Sequence, residues 1–322
     1  MEVVTVDIGG THARFAIAEV ADGRVVSLGE PTTHKTAEHA SLQTAWQAFG
    51  AAQKRPLPRA AAIAVASPVG GEVIKLTNNP WIIRPALIPE RLEVDDYVLI
   101  NDFGAIGHAV AQAPDSEFLH LAGPDQPFVE TGVLTVCGPG TGLGVAQVLR
   151  TPQRYHVLET EGGHVDYAPL DGIEDAFVKH LRKKFTRVST ERIVAGPGIV
   201  GIYETLAEIE NRAIQRLDDK AIWTMALEGK DSLALAALDR FCLSLGAVAG
   251  DLALAHGAKG VVIAGGLGLR LKEHFARSGF AERFVAKGRF QQMMAAIPVK
   301  LIIHLQPGLY GAAAAFAQEH TS

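Results

Sequence analysis

The chain has 322 residues, of which 48% are hydrophobic and 20% are charged, and its formal net charge is −5 at pH 7. This composition predicts a globular protein of one large or two ordinary domains and excludes a disordered chain. The acidic balance and the lack of a basic stripe argue against a nucleic-acid partner.

The first third of the chain alternates between strands and helices. Apolar, β-branched runs predict strands over residues 3–7, 13–20, 24–29, 61–66 and 97–101. Helices are predicted over residues 38–53 and from residue 102 onward. This order of elements predicts a mixed sheet covered by helices, which is an α/β architecture.

A second block begins after the loop around Pro114, which we interpret as a domain boundary. Its predicted strands cover residues 132–137, 142–149, 155–159, 260–264 and 299–304. A long helical region is predicted from residue 173 to about residue 256, and a last helix over residues 308–317.

Three features bear on the location of the protein. Residues 131–149 carry no charge, but five glycines and a proline favour two short strands around a turn over a membrane span. The chain enters a strand almost at once, so no signal peptide is expected. Two cysteines, Cys137 and Cys242, are too few for a disulfide framework or a zinc cluster. We therefore expect a soluble, cytoplasmic protein without a membrane partner.

The first strand ends on a carboxylate, and the chain then bends through Asp7, Ile8, Gly9, Gly10 and Thr11. Glycines allow backbone N–H groups to approach a phosphate, and the threonine hydroxyl adds a donor. A carboxylate beside such a turn is explained if it holds Mg²⁺, directly or through water. The alternative is a bulged hairpin that binds no ligand.

A second glycine turn, GPGTGLG, occupies residues 138–144, and its hairpin repeats the first one at an offset of 130 residues. Five of fifteen aligned residues are identical, and the apolar alternation is in phase. This repeat indicates a duplicated unit with a phosphate-binding turn in each half. P-loop and protein-kinase motifs are absent, and GPGIVG at residues 196–201 is interpreted as a link between helices.

A candidate catalytic carboxylate follows the fifth predicted strand. Asn101 and Asp102 end this apolar strand just before a helix, and ligands of α/β proteins bind at such strand ends. Asp102 is interpreted either as a helix N-cap or as a general base. As a base it would accept the proton of a hydroxyl that attacks a γ-phosphate.

Several polar side chains suit the hydroxyls of a sugar, because carboxylates accept hydrogen bonds from adjacent hydroxyls and histidine donates or accepts. These residues are Glu159, Glu161, His164, Asp166 and Glu191, with Ser67, Asn78 and Asn79 as further contacts. A surface loop is the alternative for Glu161 and His164. A metal site there would lack a further ligand in register.

These motifs together resemble the bacterial glucokinase family, the ATP-dependent hexokinase-like group of the sugar kinase, hsp70 and actin superfamily. The matching residues run in order along nearly the whole chain: 7–11 with Arg14, 101–103, 140–144, 161–166 and 264–266. The resemblance implies a two-domain, actin-like ATPase (ribonuclease H-like) α/β fold with a cleft between the domains. The domains would be residues 1–112 plus 305–322 and residues 113–304, and the family also implies a homodimer.

The resemblance also implies a role for each site residue. Asp102 is expected to deprotonate the 6-hydroxyl of glucose, to which the γ-phosphoryl group of ATP is transferred. The expected sugar-binding residues are Asn101, Asp102, Glu161, His164, Glu191, Asn79 and Gly140. The expected ATP-binding residues are Asp7, Ile8, Gly9, Gly10, Thr11, Thr141, Gly142, Gly265 and Gly266, with Mg²⁺ at Asp7.

Three other functions stay open on the sequence: phosphorylation of another hexose, a non-catalytic sugar sensor, and an ATPase with a protein client. We find no helix-turn-helix segment before the first strand, which disfavours the sensor, and the sugar-binding set disfavours the ATPase. Thr160 stands where the family pattern predicts a glycine, and the cysteine-rich zinc loop of the related repressor-type sugar kinases is absent. ADP or polyphosphate stays open as the phosphoryl donor.

Overall fold

The computed structural model describes residues 1–76 and 79–321, and the chain divides into two compact units. Unit 1 contains Met1–Pro114, Val157–Glu159 and the C-terminal segment that begins at His304. Unit 2 contains Asp115–His156 and Thr160–Ile303.

The two units differ from the domains predicted from the sequence at residues 113–114, 157–159 and 304. Residues 157–159 were assigned to the second domain, whereas the structure groups Val157–Glu159 with unit 1. The reason is packing, because the side chains of Val157 and Glu159 lie against Gly107 and Gly104, where no Cβ stands in the way. The domain assignment otherwise stays a prediction.

Unit 1 is built on a six-stranded sheet and an additional two-stranded one. Its strands are β1 (Glu2–Ile8), β2 (His12–Ala21), β3 (Arg24–Leu28), β4 (Thr32–Lys35), β5 (Ala60–Val65), β6 (Ile74–Lys75), β7 (Ile82–Ile83) and β8 (Asp96–Asn101). Its first helices are α1 (Leu42–Ala52), α2 (Ile88–Leu92) and α3 (Asp102–Gln112), with short 3-10 helices at Thr36–Glu38 and Pro85–Leu87.

The large sheet of unit 1 is mixed, as predicted, with the order β3-β2-β1-β5-β8 and β4 beside β2. Strands β1, β5 and β8 run parallel, and β5 is buried along its whole length. Such continuous apolar runs are typical of parallel strands covered on both faces. Ile8, Val65 and Asn101 are neighbours in register, so the residues that follow β1 and β8 emerge at one edge.

Unit 2 contains a second six-stranded sheet and most of the helices. The strands of this sheet are β9 (Phe118–Ala122), β10 (Gly132–Pro139), β11 (Leu143–Arg150), β12 (Tyr155–Thr160), β13 (Gly260–Ile263) and β14 (Val299–Ile302), and residues 157–159 of β12 belong to unit 1. Its helices are α4 (Gly172–Leu181), α5 (Thr190–Val194), α6 (Gly198–Ile209), α7 (Asp219–Leu227), α8 (Ser232–His256), α9 (Gly265–Arg270), α10 (Lys272–Phe275), α11 (Phe280–Val285) and α12 (Gln291–Ala295). Short 3-10 helices lie at Asp115–Glu117, Gly162–His164 and Gly288–Phe290.

The sheet of unit 2 repeats the connectivity of the first sheet. Its order is β12-β11-β10-β13-β14-β9, with β10 and β11 forming a hairpin and β13 and β14 parallel to β10. Each sheet thus joins a hairpin to two parallel strands, which is the arrangement that the predicted duplication requires. The uncharged stretch 131–149 forms this hairpin, so the prediction of two strands around a turn is confirmed.

The last helix, α13 (Pro307–His320), belongs to unit 1 and packs on its sheet. Ala312, Ala313 and Phe316 are fully buried there. Gly311 lies so close to the carbonyl of Ala105 in α3 that no side chain would fit. The sheet of unit 1 is therefore covered on this face by the end of the chain.

The structure also contains elements that the sequence did not predict, namely β4, β6, β7, β9, α2 and α9–α12. The long helical region predicted from residue 173 is broken into five helices. Side-chain N-caps at Asp171, Asp218 and Asp231 begin three of them, since each carboxylate accepts hydrogen bonds from the first turn. The segment 195–197 links α5 to α6, which confirms the interpretation of the GPGIVG motif.

Helix α8 is long and apolar enough to cross a membrane by length and composition. However, 72% of its most apolar window is buried inside the protein. Burial on this scale is the property of a core helix of a folded domain.

Candidate active site

The carboxylate of Asp7 lies at the end of β1, beside Arg14 on the neighbouring strand. Arg14 Nη1 donates a hydrogen bond to Asp7 Oδ2 over 3.2 Å. Burial raises the pKa of Asp7, while the Arg14 charge and hydrogen bond act in the opposite direction. Gly308 in α13 packs on this carboxylate, because a Cβ there would lie 2.8 Å from Asp7 Oδ2.

The carbonyl groups of the first turn, residues 9–11, accept hydrogen bonds from Asn79 and Thr36. Asn79 Nδ2 donates to the Gly9 carbonyl over 3.0 Å, and Thr36 Oγ1 donates to the Gly10 carbonyl over 3.1 Å. The backbone N–H of Thr36 donates to the Thr11 carbonyl over 3.0 Å. Among the described residues, the N–H groups of Gly10 and Thr11 donate to no protein acceptor. These two groups are suited to an anion.

The preceding residue, Ile8, offers less to a ligand than the turn does. Its side chain is buried in the core, and its carbonyl accepts a hydrogen bond from Ala66 N. Its backbone pairs with β5 in the sheet, and its contact with ATP stays a prediction.

Asn101, and not Asp102, is the N-cap of α3. Its Oδ1 accepts hydrogen bonds from Phe103 N over 2.8 Å and Gly104 N over 3.2 Å. The capping alternative for Asp102 is thus wrong, because the preceding residue already fills that position. Asn101 Nδ2 donates to the Ser67 carbonyl, which leaves one N–H of this amide for a ligand.

Asp102 is the first residue of α3 and is half-buried. Burial and the negative charges of Asp7 and Glu159 raise its pKa to about 6, although hydrogen bonds from the backbone N–H groups of Phe103 and Asp102 itself oppose this shift. A carboxylate with this pKa is ionised at neutral pH and is still a stronger base than an exposed aspartate.

Glu159, which the sequence analysis proposed as a sugar contact, is a further acid beside Asp102. Its Oε1 accepts a hydrogen bond from Asn101 N over 3.0 Å. Its carboxylate fills the space over Gly104, where a Cβ would collide with it. Burial raises the pKa of Glu159, and the Asn101 N–H opposes that rise. The sequence pointed to Glu159 as a sugar contact but gave no signal for its contact with Asn101 or its effect on Asp102.

In unit 2, the second turn lies between β10 and β11 and spans residues 140–142. Gly140 N donates to the Gly142 carbonyl over 2.8 Å, and the Gly140 carbonyl accepts from Gly196 N over 2.8 Å. Glu191 Oε2 accepts from Leu143 N over 2.9 Å, so one carboxylate oxygen of Glu191 is held against this turn. A Cβ on Gly142 would lie 2.5 Å from that oxygen.

Gly265 and Gly266 begin α9 behind the second turn. Gly265 has φ +81°, and a Cβ there would lie 2.7 Å from the Pro139 carbonyl, so only glycine fits. Gly266 faces open space, and Thr141 is exposed in the turn itself. The structure therefore brings all these predicted nucleotide contacts of unit 2 into one neighbourhood.

The loop with Glu161 and His164 joins the same neighbourhood through Gly163, which packs directly on the Leu143 carbonyl. Both side chains are exposed, and Glu161 Oε2 lies 3.8 Å from His164 Nε2. Thr190 Oγ1 donates to the Gly163 carbonyl over 2.7 Å and fixes the loop beside α5, which carries Glu191. Asp166, in contrast, pairs with Arg187 at the surface.

A cavity of about 240 Å³ opens beside the second turn within unit 2. Thr141 and Glu191 line it together with Lys184, Phe185 and Pro197. A molecule bound in this cavity would contact two residues of the predicted site, Thr141 and Glu191.

The predicted residues thus form one group in each unit. In unit 1 the group comprises Asp7, the first turn, Asn101, Asp102 and Glu159, to which the structure adds Thr36. The predicted contact Asn78 lies outside the described residues. In the part of the chain that the structure describes, no cluster of three or more acidic, histidine or cysteine side chains is placed to hold a metal ion. A Mg²⁺ ion commonly needs only one or two carboxylates besides phosphates and water, and Asp7 fits that need.

The glucokinase family model matches residues 4–319 of this chain. A glucokinase of Zymomonas mobilis subsp. mobilis is 64% identical over 321 residues, which covers 100% of this chain and 99% of that protein. The crystal structure of a glucokinase from an Antarctic psychrotroph superposes with a TM-score of 0.87 at 33% identity, over 98% of each chain. A ROK family glucokinase from Streptomyces griseus, in complex with glucose and AMPPNP, shares the fold with a TM-score of 0.62 at 18% identity, over 99% of this chain and 100% of that one. These similarities confirm the predicted two-domain fold class of sugar kinases.

Proposed function

The chain belongs to the glucokinase family, a family of ATP-dependent hexose kinases, and we propose that it phosphorylates glucose at the 6-hydroxyl with Asp102 as the general base. The observation that carries this proposal is the Asp102 carboxylate, which stands at the carboxyl end of β8 with a pKa raised to about 6. A base with this pKa is poised to take a proton near neutral pH.

The proposed reaction uses the carboxylate as follows. Asp102 accepts the proton of the glucose 6-hydroxyl while the oxygen forms a bond to the γ-phosphorus of ATP. The bond from that phosphorus to the β,γ-bridging oxygen breaks, so the products are glucose 6-phosphate, ADP and the proton. Most of the catalysis in phosphoryl transfer comes from positioning and charge neutralisation, so a single carboxylate base is sufficient.

The residues of unit 1 supply the phosphate contacts in this proposal. The N–H groups of Gly10 and Thr11 donate to phosphate oxygens, and Asp7 holds Mg²⁺ directly or through water. The Arg14 guanidinium occupies one oxygen of Asp7 and leaves the other for the ion. When bound, Mg²⁺ neutralises negative charge on the phosphates.

The residues of unit 2 supply the second turn and three sugar contacts. Gly140, Thr141 and Gly142 form the second phosphate turn, and Gly265 and Gly266 contact the adenosine. Glu161, His164 and Glu191 bind glucose hydroxyls, each with a free acceptor or donor in the structure. Asn101 donates the remaining N–H of its amide to the sugar.

We also propose that the protein is a cytoplasmic homodimer, which rests on the family resemblance alone. Light scattering coupled to size-exclusion chromatography tests the dimer. A mass of about 34 kDa per particle, the mass of one chain, would contradict it.

The test of the proposed function is ADP release from MgATP with glucose, mannose, fructose, N-acetylglucosamine or no sugar. We expect strong turnover with glucose and little with the others, because a site built to bind specific hydroxyls rejects sugars that place them elsewhere. Sugar-independent ATP hydrolysis would favour an ATPase instead. Turnover on another hexose alone would replace glucose as the substrate.

A further inference from the structure

The side chain of Asn79 makes two hydrogen bonds within unit 1, while its contact with the sugar stays a prediction. Its Nδ2 donates to the Gly9 carbonyl over 3.0 Å, and its Oδ1 accepts from Trp81 N over 2.9 Å. The side chain of Trp81 is almost fully buried, and its Nε1 donates to the His39 carbonyl. Because the Trp81 N–H must meet an oxygen, the amide group of Asn79 can only point its NH₂ at Gly9.

Thr36 holds the next two carbonyl groups of the same turn. It is 3% exposed and follows β4, the strand that pairs with β2 next to the turn. Its hydroxyl donates to the Gly10 carbonyl and its backbone N–H to the Thr11 carbonyl. Every carbonyl of residues 9–11 therefore has a donor.

This arrangement matters because a peptide that contains glycine can rotate at little cost. A carbonyl oxygen turned toward a phosphate would repel it, whereas an N–H group would bind it. We propose that Thr36 and Asn79 are positioning residues that hold the carbonyls of the first turn away from ATP and so direct the N–H groups of Gly10 and Thr11 toward its phosphates. The proposal rests on the proposed function, since it takes ATP to bind at this turn.

The decisive variant is Thr36→Val, which has nearly the same shape and lacks only the hydroxyl. We expect KM for ATP and Kd for MgADP to rise about three- to tenfold, as for one lost hydrogen bond, with KM for glucose unchanged. Thr36→Ser restores the donor and should return both constants to within about twofold of the wild type. Asn79→Ala should weaken nucleotide binding in the same way.

Thr5→Val is the matched control. Thr5 is also buried on β1, and its hydroxyl donates to the Leu309 carbonyl over 2.7 Å, away from the turn. This variant should lose a comparable amount of thermal stability and keep the wild-type Kd for MgADP. If the substitutions acted through stability alone, the Kd for MgADP would rise in Thr5→Val as well as in Thr36→Val. A role in positioning raises this Kd only in the variants at Thr36 and Asn79.

Calorimetric titration of MgADP into the whole protein gives Kd without any turnover. Wild-type affinity in Thr36→Val, or equal weakening in Thr5→Val, would overturn the positioning role even if glucose is phosphorylated normally. Weakened MgADP binding in Thr36→Val, together with a wild-type protein that phosphorylates no sugar, would leave the positioning role standing and overturn only the proposed function.

Discussion

At the scale of residues, the proposed base owes its pKa to what surrounds it. Asp102 is half-buried and lies near the negative charges of Asp7 and Glu159, and its partial burial and these charges together raise its pKa to about 6. Arg14, a cation beside Asp7, is hydrogen bonded to Asp7. The proposed mechanism therefore predicts that kcat/KM for glucose falls as the pH drops below about 6, because the protonated carboxyl cannot accept a proton.

Glu159→Gln tests the environment of the base. The glutamine keeps an oxygen for the Asn101 N–H but removes a negative charge next to Asp102, so the pKa of Asp102 should fall. We expect the acid limb of the kcat/KM profile to move to lower pH by about half a unit to one unit. Glu228→Gln, which removes a surface carboxylate paired with Lys230 in unit 2, should not move it. An unchanged profile in Glu159→Gln would show that Glu159 does not act on the base.

Asp102→Asn should stabilise the protein while it inactivates it. The folded-state pKa is raised from 3.8 to about 6, so ionising Asp102 costs folding free energy as the pH rises through this interval. The variant escapes this cost and should be more stable by about 1 to 3 kcal/mol above pH 7, but by only about 0.5 kcal/mol near pH 4. Denaturant unfolding at both pH values measures this, and equal stability at pH 7 would contradict the raised pKa.

At the scale of elements, strand ends and helix starts bring the acidic groups together. The carboxyl ends of β1 and β8 lie at one edge, and α13 begins against Asp7 through Gly308. Glycine is needed at that contact because a Cβ would lie 2.8 Å from the carboxylate. The last helix of the chain thus helps to position a carboxylate on the first strand.

Gly308→Ala should displace the Asp7 carboxylate and impair catalysis. A misplaced group costs up to about 100-fold in rate, so we expect kcat/KM for ATP to fall by about 10- to 100-fold. The matched control is Gly172→Ala at the first residue of α4, where a Cβ meets nothing within 4 Å. Steady-state kinetics should therefore show a reduced kcat/KM for ATP in Gly308→Ala and a wild-type value in Gly172→Ala. Wild-type kinetics in Gly308→Ala would mean that Asp7 need not be held in place.

At the scale of the whole molecule, the sequence predicted the architecture better than it predicted the contacts that hold the site residues in place. Period-2 apolar runs revealed both hairpins, and the strand-end position of Asp102 followed from the pattern of strand and helix. Thr36 and Glu159 act through contacts with residues far away in the sequence, so no local motif predicts those contacts. Helices α9–α12 were missed because each is six residues or shorter and too brief to show a periodic apolar face.

Binding of glucose should stabilise the whole chain without any nucleotide. A ligand at 100 times its Kd contributes about 2.7 kcal/mol, which corresponds to a rise in Tm of about 3 to 8 °C for a protein of this size. Sorbitol at the same concentration is the control for nonspecific solute effects. An equal rise with sorbitol would argue against a glucose site.

The measurement that tests the central claim most directly is glucose phosphorylation by Asp102→Asn at saturating MgATP, with the glucose Kd determined on the same preparation. The account predicts that turnover falls by about 10²- to 10⁴-fold, the usual contribution of a general base, while glucose Kd stays within about threefold of the wild type. Near-normal turnover with unchanged glucose binding would contradict the assignment of Asp102 as the base.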